Sequence, residues 1–365
     1  MYQPLEQHTV PVADDCYPDD SSAGKAEKDA DSPALRPPMY KRLASTRNAL
    51  FTMLAAAGIA MVVLFAISTA PRHSRQACTC PSLRREWRQL NSTEKTTYID
   101  AVKCLQAFPS DLTGIGRRSD DFPWVHRHVA TSIHNTALFL PYHRYLIHLY
   151  EKSLRELCNY SGALVYWNWE LDWHDPARSP IWDPDTGFGG SGDIAAELTV
   201  GWGSCVPDGP FRNYKVLFYD FVLKLHCLSR GFGRCFGRNG TWSGDPFKPS
   251  AIRQVMEQET FASFSASLEA GPHDAVPNNI CGDFYYLESP NDPVFFLHHT
   301  NLDRLWAKWQ AEKPSRRLEY NGRASKDDTK AAASADDILG MMGLGPDLTV
   351  REVMDTQSGI LCYRY

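Results

Sequence analysis

Residues 292–310 read DPVFFLHHTNLDRLWAKWQ and residues 134–151 read HNTALFLPYHRYLIHLYE; these two stretches decide the fold. The first opens on Asp292 and Pro293, a residue suited to an N-cap and one suited to a first turn, and then runs on as a strong helix. It carries the adjacent pair His298 and His299. The second starts at His134, is interrupted at Pro141, and continues as a helix to Cys158, with leucines recurring at three and four residues.

Working outward, the 12 histidines prove unevenly spread. His126, His128, His134, His143 and His148 fall within 23 residues, and His273 precedes His298 and His299 by about one loop. Such clustering signals transition-metal binding, because neutral imidazole suits copper, zinc and iron. Structural zinc sites typically use cysteine pairs, and none are spaced that way here. His134 and His143 are nine residues apart, about 180° around a helix at 100° per residue, so one straight helix cannot aim both at one ion. Pro141 breaks the run, which puts His134 in a loop, His143 in the first turn of the next helix, and His126 on the helix before. Helix, loop and helix then converge three imidazoles on one ion. His128 and His148 read as surface or packing histidines.

With those residues in view, the chain resembles the type 3 copper family of tyrosinases, catechol oxidases and molluscan hemocyanins. His134-NTALFLPY-His143-Arg144, followed by Glu151, is similar to the family's first copper signature, and Asp292 to Trp306 is similar to its second. Tyr166-Trp-Asn-Trp169 and Gly271-Pro-His273 resemble intervening family segments, and Leu361-Cys-Tyr-Arg-Tyr365 resembles the close of short fungal members. The resemblance covers roughly residues 78–365. It implies a mainly α fold, a four-helix-bundle core with long irregular loops. It also implies two copper ions, the first held by His126, His134 and His143 and the second by His273 and His299. His298 points about 100° away from His299 on a helix and reads as structural or as a supporting residue. Asp303, one turn after His299, either orients an imidazole or pairs with Arg304.

The family pattern breaks at one place. The second copper of the family takes His-x-x-x-His plus the later histidine, a spacing that sets two imidazoles on one helix face. Four residues after His273 this chain has Pro277, which has no ligating side chain and disfavours a continuing helix. Three readings stay open. A third ligand comes from elsewhere, such as His298, His174 or His226; or two histidines suffice with water or a carboxylate such as Asp274; or the second site is empty. Ser132 stands where some members carry a cysteine crosslinked to the middle ligand, so no such thioether is expected.

The whole chain sets the remaining bounds. It has 365 residues, 43% hydrophobic and 12% aromatic, with ten tryptophans, enough for one large domain or two small ones. The net charge of −5 gives no reason to propose nucleic acid as a partner. Residues 1–47 read as a disordered tail, 48–71 as a transmembrane anchor, and 72–365 as the copper domain. The anchor rests on the uncharged run from Ala49 to Ala70, about the length that spans a bilayer. Sequons at Asn91, Asn159 and Asn239, and nine of the ten cysteines, lie after it, which suggests a single-pass membrane protein with a lumenal or extracellular copper domain. Nine is odd, so at least one thiol is expected unpaired. Further helices are expected over Pro81–Leu90, Thr93–Phe108 and Pro249–Leu268, and long ordered loops over residues 172–248.

The function these features imply is oxidation of a phenol or o-diphenol by O2, with a secondary metabolite as a reasonable substrate class. No catalytic residue beyond the metal ligands is assigned. The tryptophans at Trp167, Trp169 and Trp173 could wall a pocket for a flat substrate, although core packing is the simpler role. The alternative reading is a membrane-tethered domain that binds copper or O2 without catalysis, or a pseudo-enzyme, because of Pro277.

Overall fold

The structure is a computed structural model that describes residues 78–328 and 330–365. Helix α1 (Ser92–Cys104) starts at a capping box: the Asn91 side chain accepts the Glu94 N–H at 2.9 Å, and the Glu94 carboxylate accepts the Asn91 N–H at 2.8 Å. Helix α2 spans Arg118–Ile133, and α3 spans Phe139–Cys158. Pro141 is the third residue of α3, where a helix has no partner for a backbone N–H, so the helix begins before the proline rather than after it. Asn159 in the left-handed region (φ 52°) ends α3.

Residues 249–268 form two helices, not one. α4 (Pro249–Met256) stops, and α5 (Phe261–Leu268) restarts at Thr260, whose hydroxyl accepts the Ser263 N–H. One turn of π-helix (Glu269–His273) follows, then the short α6 (Pro277–Ile280). Pro277 sits at the start of α6, so the chain stays helical through the position where the sequence suggested a break. The last long helix is α7 (Val294–Glu312), entered through Asp292, whose carboxylate accepts the Val294 N–H at 3.0 Å and pairs with buried Arg230.

Pro81–Leu90 is not a helix. Ser82–Leu83 pairs in parallel with Tyr363–Arg364, and a single 3-10 turn follows at Trp87–Gln89. Tertiary pairing overrides local spacing here: the Arg84 N–H donates to Arg364 O at 2.8 Å, and the Arg84 side chain is buried against Glu151 and Asp303. Residues 172–248 form short turns, one hairpin, β1 (Lys215–Tyr219) with β2 (Val222–Cys227), and a two-residue antiparallel pairing of Ser204–Cys205 with Ser229–Arg230. The core beneath these elements is aromatic, with Trp87, Trp167, Trp169, Trp306 and Trp309 fully buried.

Disulfides staple the periphery. Cys78–Cys362 joins the two ends of the described chain, Cys104–Cys158 joins α1 to α3, and Cys205–Cys227 and Cys235–Cys281 pin the long loops. Cys80 is disulfide-bonded too, and none of the described cysteines is free, so the expected unpaired thiol is not found. Asn91, Asn159 and Asn239 are exposed.

The membrane reading requires correction. Among the described residues no helix is long and apolar enough to cross a membrane. The two longest, α3 and α7 at 20 and 19 residues, carry charged side chains along their length. The transmembrane helix and the membrane localisation built on it are therefore not supported; residues 48–71, like the 1–47 tail, lie outside the described residues.

Candidate metal centre

Three elements deliver the first group of histidines. His126 lies mid-way along α2, His134 is the residue that ends it, and His143 lies in the second turn of α3. Their imidazoles converge, with ring centroids 5.1–5.4 Å apart. Each Nδ1 meets a backbone carbonyl: His126 with Leu287 O at 2.6 Å, His134 with Ala130 O at 3.0 Å, and His143 with Phe139 O at 2.7 Å. A carbonyl only accepts, so Nδ1 carries the proton and each Nε2 presents a lone pair. Burial reinforces this by disfavouring the imidazolium: His126 is pushed down to about 4, and His134 and His143 fall well below the usual histidine range.

That arrangement fits a metal ion. The Nε2 atoms of His126 and His143 face each other at 3.2 Å. Two lone pairs at hydrogen-bond distance with no proton between them repel, and a shared cation removes the repulsion. All three donors are neutral imidazole nitrogens, the set suited to copper, zinc or iron.

The second group is His273, His298 and His299, whose candidate ligand atoms lie within 4.8 Å of one another. His273 Nδ1 donates to Asp274 Oδ1 at 2.9 Å, which leaves its Nε2 lone pair free. His299 lines the cavity, and its ring stacks on His143 at 4.1 Å, so the two groups adjoin. His298 is different. Its Nδ1 accepts the Trp169 Nε1–H at 3.2 Å, which places the proton on Nε2, and that buried Nε2 has no hydrogen-bond partner. Neither nitrogen of His298 offers a lone pair. The second group thus fits a metal with two donors, not three.

Phe139 and Phe295 wall both groups. Phe139 lies 5.0 Å from the His143 ring and 4.8 Å from His273; Phe295 lies 5.3 Å from His126 and 4.2 Å from His299. A cavity of about 260 Å³ opens over the histidines, lined in part by His126, His134, His273, His299, Glu269 and Tyr285. Glu269 accepts the Asn135 N–H, at 2.8 and 2.9 Å to its two oxygens, and burial raises its carboxyl to about 7. Sequence reasoning missed Glu269. Its signal was the four-residue spacing to His273, one helical turn.

The other candidates lie elsewhere. Asp303 neither orients an imidazole nor pairs with Arg304. It is buried between Arg144 and Arg84 and accepts the hydroxyls of Tyr363 and Tyr365, while Arg304 binds Asn301 and Asn168. His226 is held by Asp283 and Lys224 O, His174 packs on Trp173, His128 on Trp124 and His148 on Tyr145. Trp167 and Trp169 are core residues.

Comparison with known proteins agrees with this geometry. Residues 116–312 match the family model described as the common central domain of tyrosinase. The chain is 44% identical over 294 residues to the tyrosinase-like protein phomQ2 of Diaporthe leptostromiformis, covering 80% of this chain and 75% of that one. It is 40% identical over 289 residues to tyrosinase ustQ of Aspergillus flavus, covering 79% and 80%. Among solved structures, a mutant polyphenol oxidase from Thermothelomyces thermophila superposes with a TM-score of 0.67 at 28% identity, covering 87% of this chain and 97% of the other.

Proposed function

This chain belongs to the tyrosinase family of type 3 copper proteins, and from that premise we propose that it oxidises phenols or o-diphenols with O2. The observation that carries the reading is the preset tautomer of the first group: three imidazoles, those of His126 and His143 buried and that of His134 half-buried, whose Nδ1 protons are tied to backbone carbonyls, with two Nε2 atoms 3.2 Å apart beneath an open cavity. In this reading His126, His134 and His143 hold one copper, and His273 and His299 hold the second. Bound copper supplies the electron transfer: two o-diphenols lose four electrons and four protons, and one O2 takes them up as two waters.

The protein residues set the conditions for that exchange. The carbonyl contacts hold the imidazoles in place before copper arrives, so little reorganisation is needed. Phe139 and Phe295 pack against the rings, and apolar surface at those faces strengthens the charge interactions beside it. Glu269 stands at the cavity wall with its carboxyl near neutrality, so it can accept a phenol proton and release it again. Its Asn135 contact fixes it beside His134.

The test is oxygen uptake with quinone absorbance, using a simple catechol and copper-loaded protein. The expected result is stoichiometric quinone in wild type and none in His134→Ala. Pro277 favours a second reading, copper binding without turnover. Bound copper with no quinone from any catechol or monophenol tried would establish that reading instead.

A further inference from the structure

The second group is one imidazole short, and the shortage has a location. From Phe261 to Ile280 the chain stays close to helical, through α5, the π-turn and α6. Pro277 follows His273 by about one turn, and both residues line the cavity. A histidine at position 277 would therefore point its ring at the space that His273 faces. Proline leaves that space to solvent.

No other histidine among the described residues fills it with a lone pair. His298 is near, but Trp169 holds its Nδ1 and the proton sits on Nε2. His226 and His174 are engaged elsewhere. Asp274 meets His273 through its Oδ1, on the Nδ1 side of that ring. No carboxylate joins either group of histidines within 4.8 Å. The cavity that Pro277 lines is also walled by Asn278, Phe284 and Tyr285, flat and partly aromatic surfaces suited to a planar ring.

We infer that the second copper, held by His273 and His299, keeps a coordination position open to the cavity at Pro277, and that this position takes a small planar nitrogen donor of the imidazole class from solution. His298 is then a residue that packs against the site through Trp169, not a ligand. The inference rests on the proposed copper reading. It gives this chain a ligand site that a relative with histidine at the matching position would fill with its own side chain.

The experiment uses the full chain loaded with copper. Copper per chain is measured by atomic absorption, and imidazole is titrated calorimetrically. Wild type is expected to hold two coppers and to bind imidazole at one site. Pro277→His is expected to hold two coppers and to weaken imidazole binding at least tenfold, because the new side chain occupies the position. His298→Phe, which keeps ring volume, is expected to leave both the copper content and imidazole affinity as in wild type. Loss of one copper in His298→Phe would overturn the inference, since it would make His298 a ligand. Imidazole binding equal in wild type and Pro277→His would also overturn it. If Pro277→His does not fold, the His298→Phe copper content and the wild-type titration still decide. Wild type holding one copper and binding no imidazole would sink the inference yet leave the first site standing, whereas no copper at all would sink the proposed function with it.

Discussion

Replacing Asp303 by alanine is expected to cost about 3–5 kcal/mol, because it removes the carboxylate that two buried cations share. The Asp303 side chain is 2% exposed and those of Arg84 and Arg144 are fully buried. Arg84 keeps Glu151 at 2.7 Å, and Arg144 keeps the carbonyls of Val353 and Met354 at 3.2 and 2.9 Å, so neither is wholly abandoned. The hydroxyls of Tyr363 and Tyr365 lose their acceptor as well. A domain of this kind is stable by about 5–15 kcal/mol, so the loss is a large fraction of the total. The position also matters for the metal centre. Arg144 follows His143 on α3, and Asp303 lies one turn beyond His299 on α7. The ion pair therefore fixes the two helices whose imidazoles stack at 4.1 Å. Urea unfolding of the copper-free protein, followed by circular dichroism, measures the cost. The control is Asp336→Ala, which breaks an exposed pair with Arg351 and is expected to stay within about 0.5 kcal/mol. If Asp303→Ala costs no more than that control, the network is not what joins the two helices.

Other outcomes follow from the same structure. Burial holds the folded-state pKa of His126 at about 4 against 6.5 in the free side chain, so protons favour the unfolded chain between those values. The copper-free protein should keep its stability above pH 6.5 and lose about 3 kcal/mol from this residue by pH 4, which urea melts across the range will read. Glu269 has the opposite sign: its raised pKa makes the ionised form costly when folded, fully so above about pH 7. Glu269→Gln should stabilise the copper-free protein at pH 8 by up to about 3 kcal/mol, with no gain at pH 4, and should slow phenol oxidation more than copper binding. Removing the Cys78–Cys362 bridge by serine at both positions should cost about 2–5 kcal/mol, since it closes a loop of 284 residues; an unchanged melting midpoint would contradict this.

Much of the centre was legible in the sequence because metal-ligand spacing and helix geometry are local. The nine-residue spacing of His134 and His143 already required a change of element between them, although the structure puts that change before Phe139 and not at Pro141. What was not legible depended on contacts distant in sequence. Pro81–Leu90 has helical spacing, yet the segment pairs as a strand with residues near the C-terminus. Asp303 looked like a support for an imidazole or a partner for its neighbour Arg304, but the buried carboxylate takes the guanidinium groups that reach it from Arg84 and Arg144, distant in sequence. The state of His298 was hidden for the same reason: its tautomer is set by Trp169, 129 residues away. Pro277 misled in one respect, since a proline at the start of a helix does not stop it. The membrane anchor was read from apolar length alone, and no described helix supports it.

The central claim is that two adjoining groups of histidines hold a copper pair that oxidises phenols. Copper per chain, measured on the same sample as catechol-dependent oxygen uptake, tests it most directly. Two coppers per chain are expected in wild type, one in His134→Ala, and oxygen uptake only in the former. A wild-type protein that takes up no copper, or one whose oxygen uptake survives in His134→Ala, would contradict it.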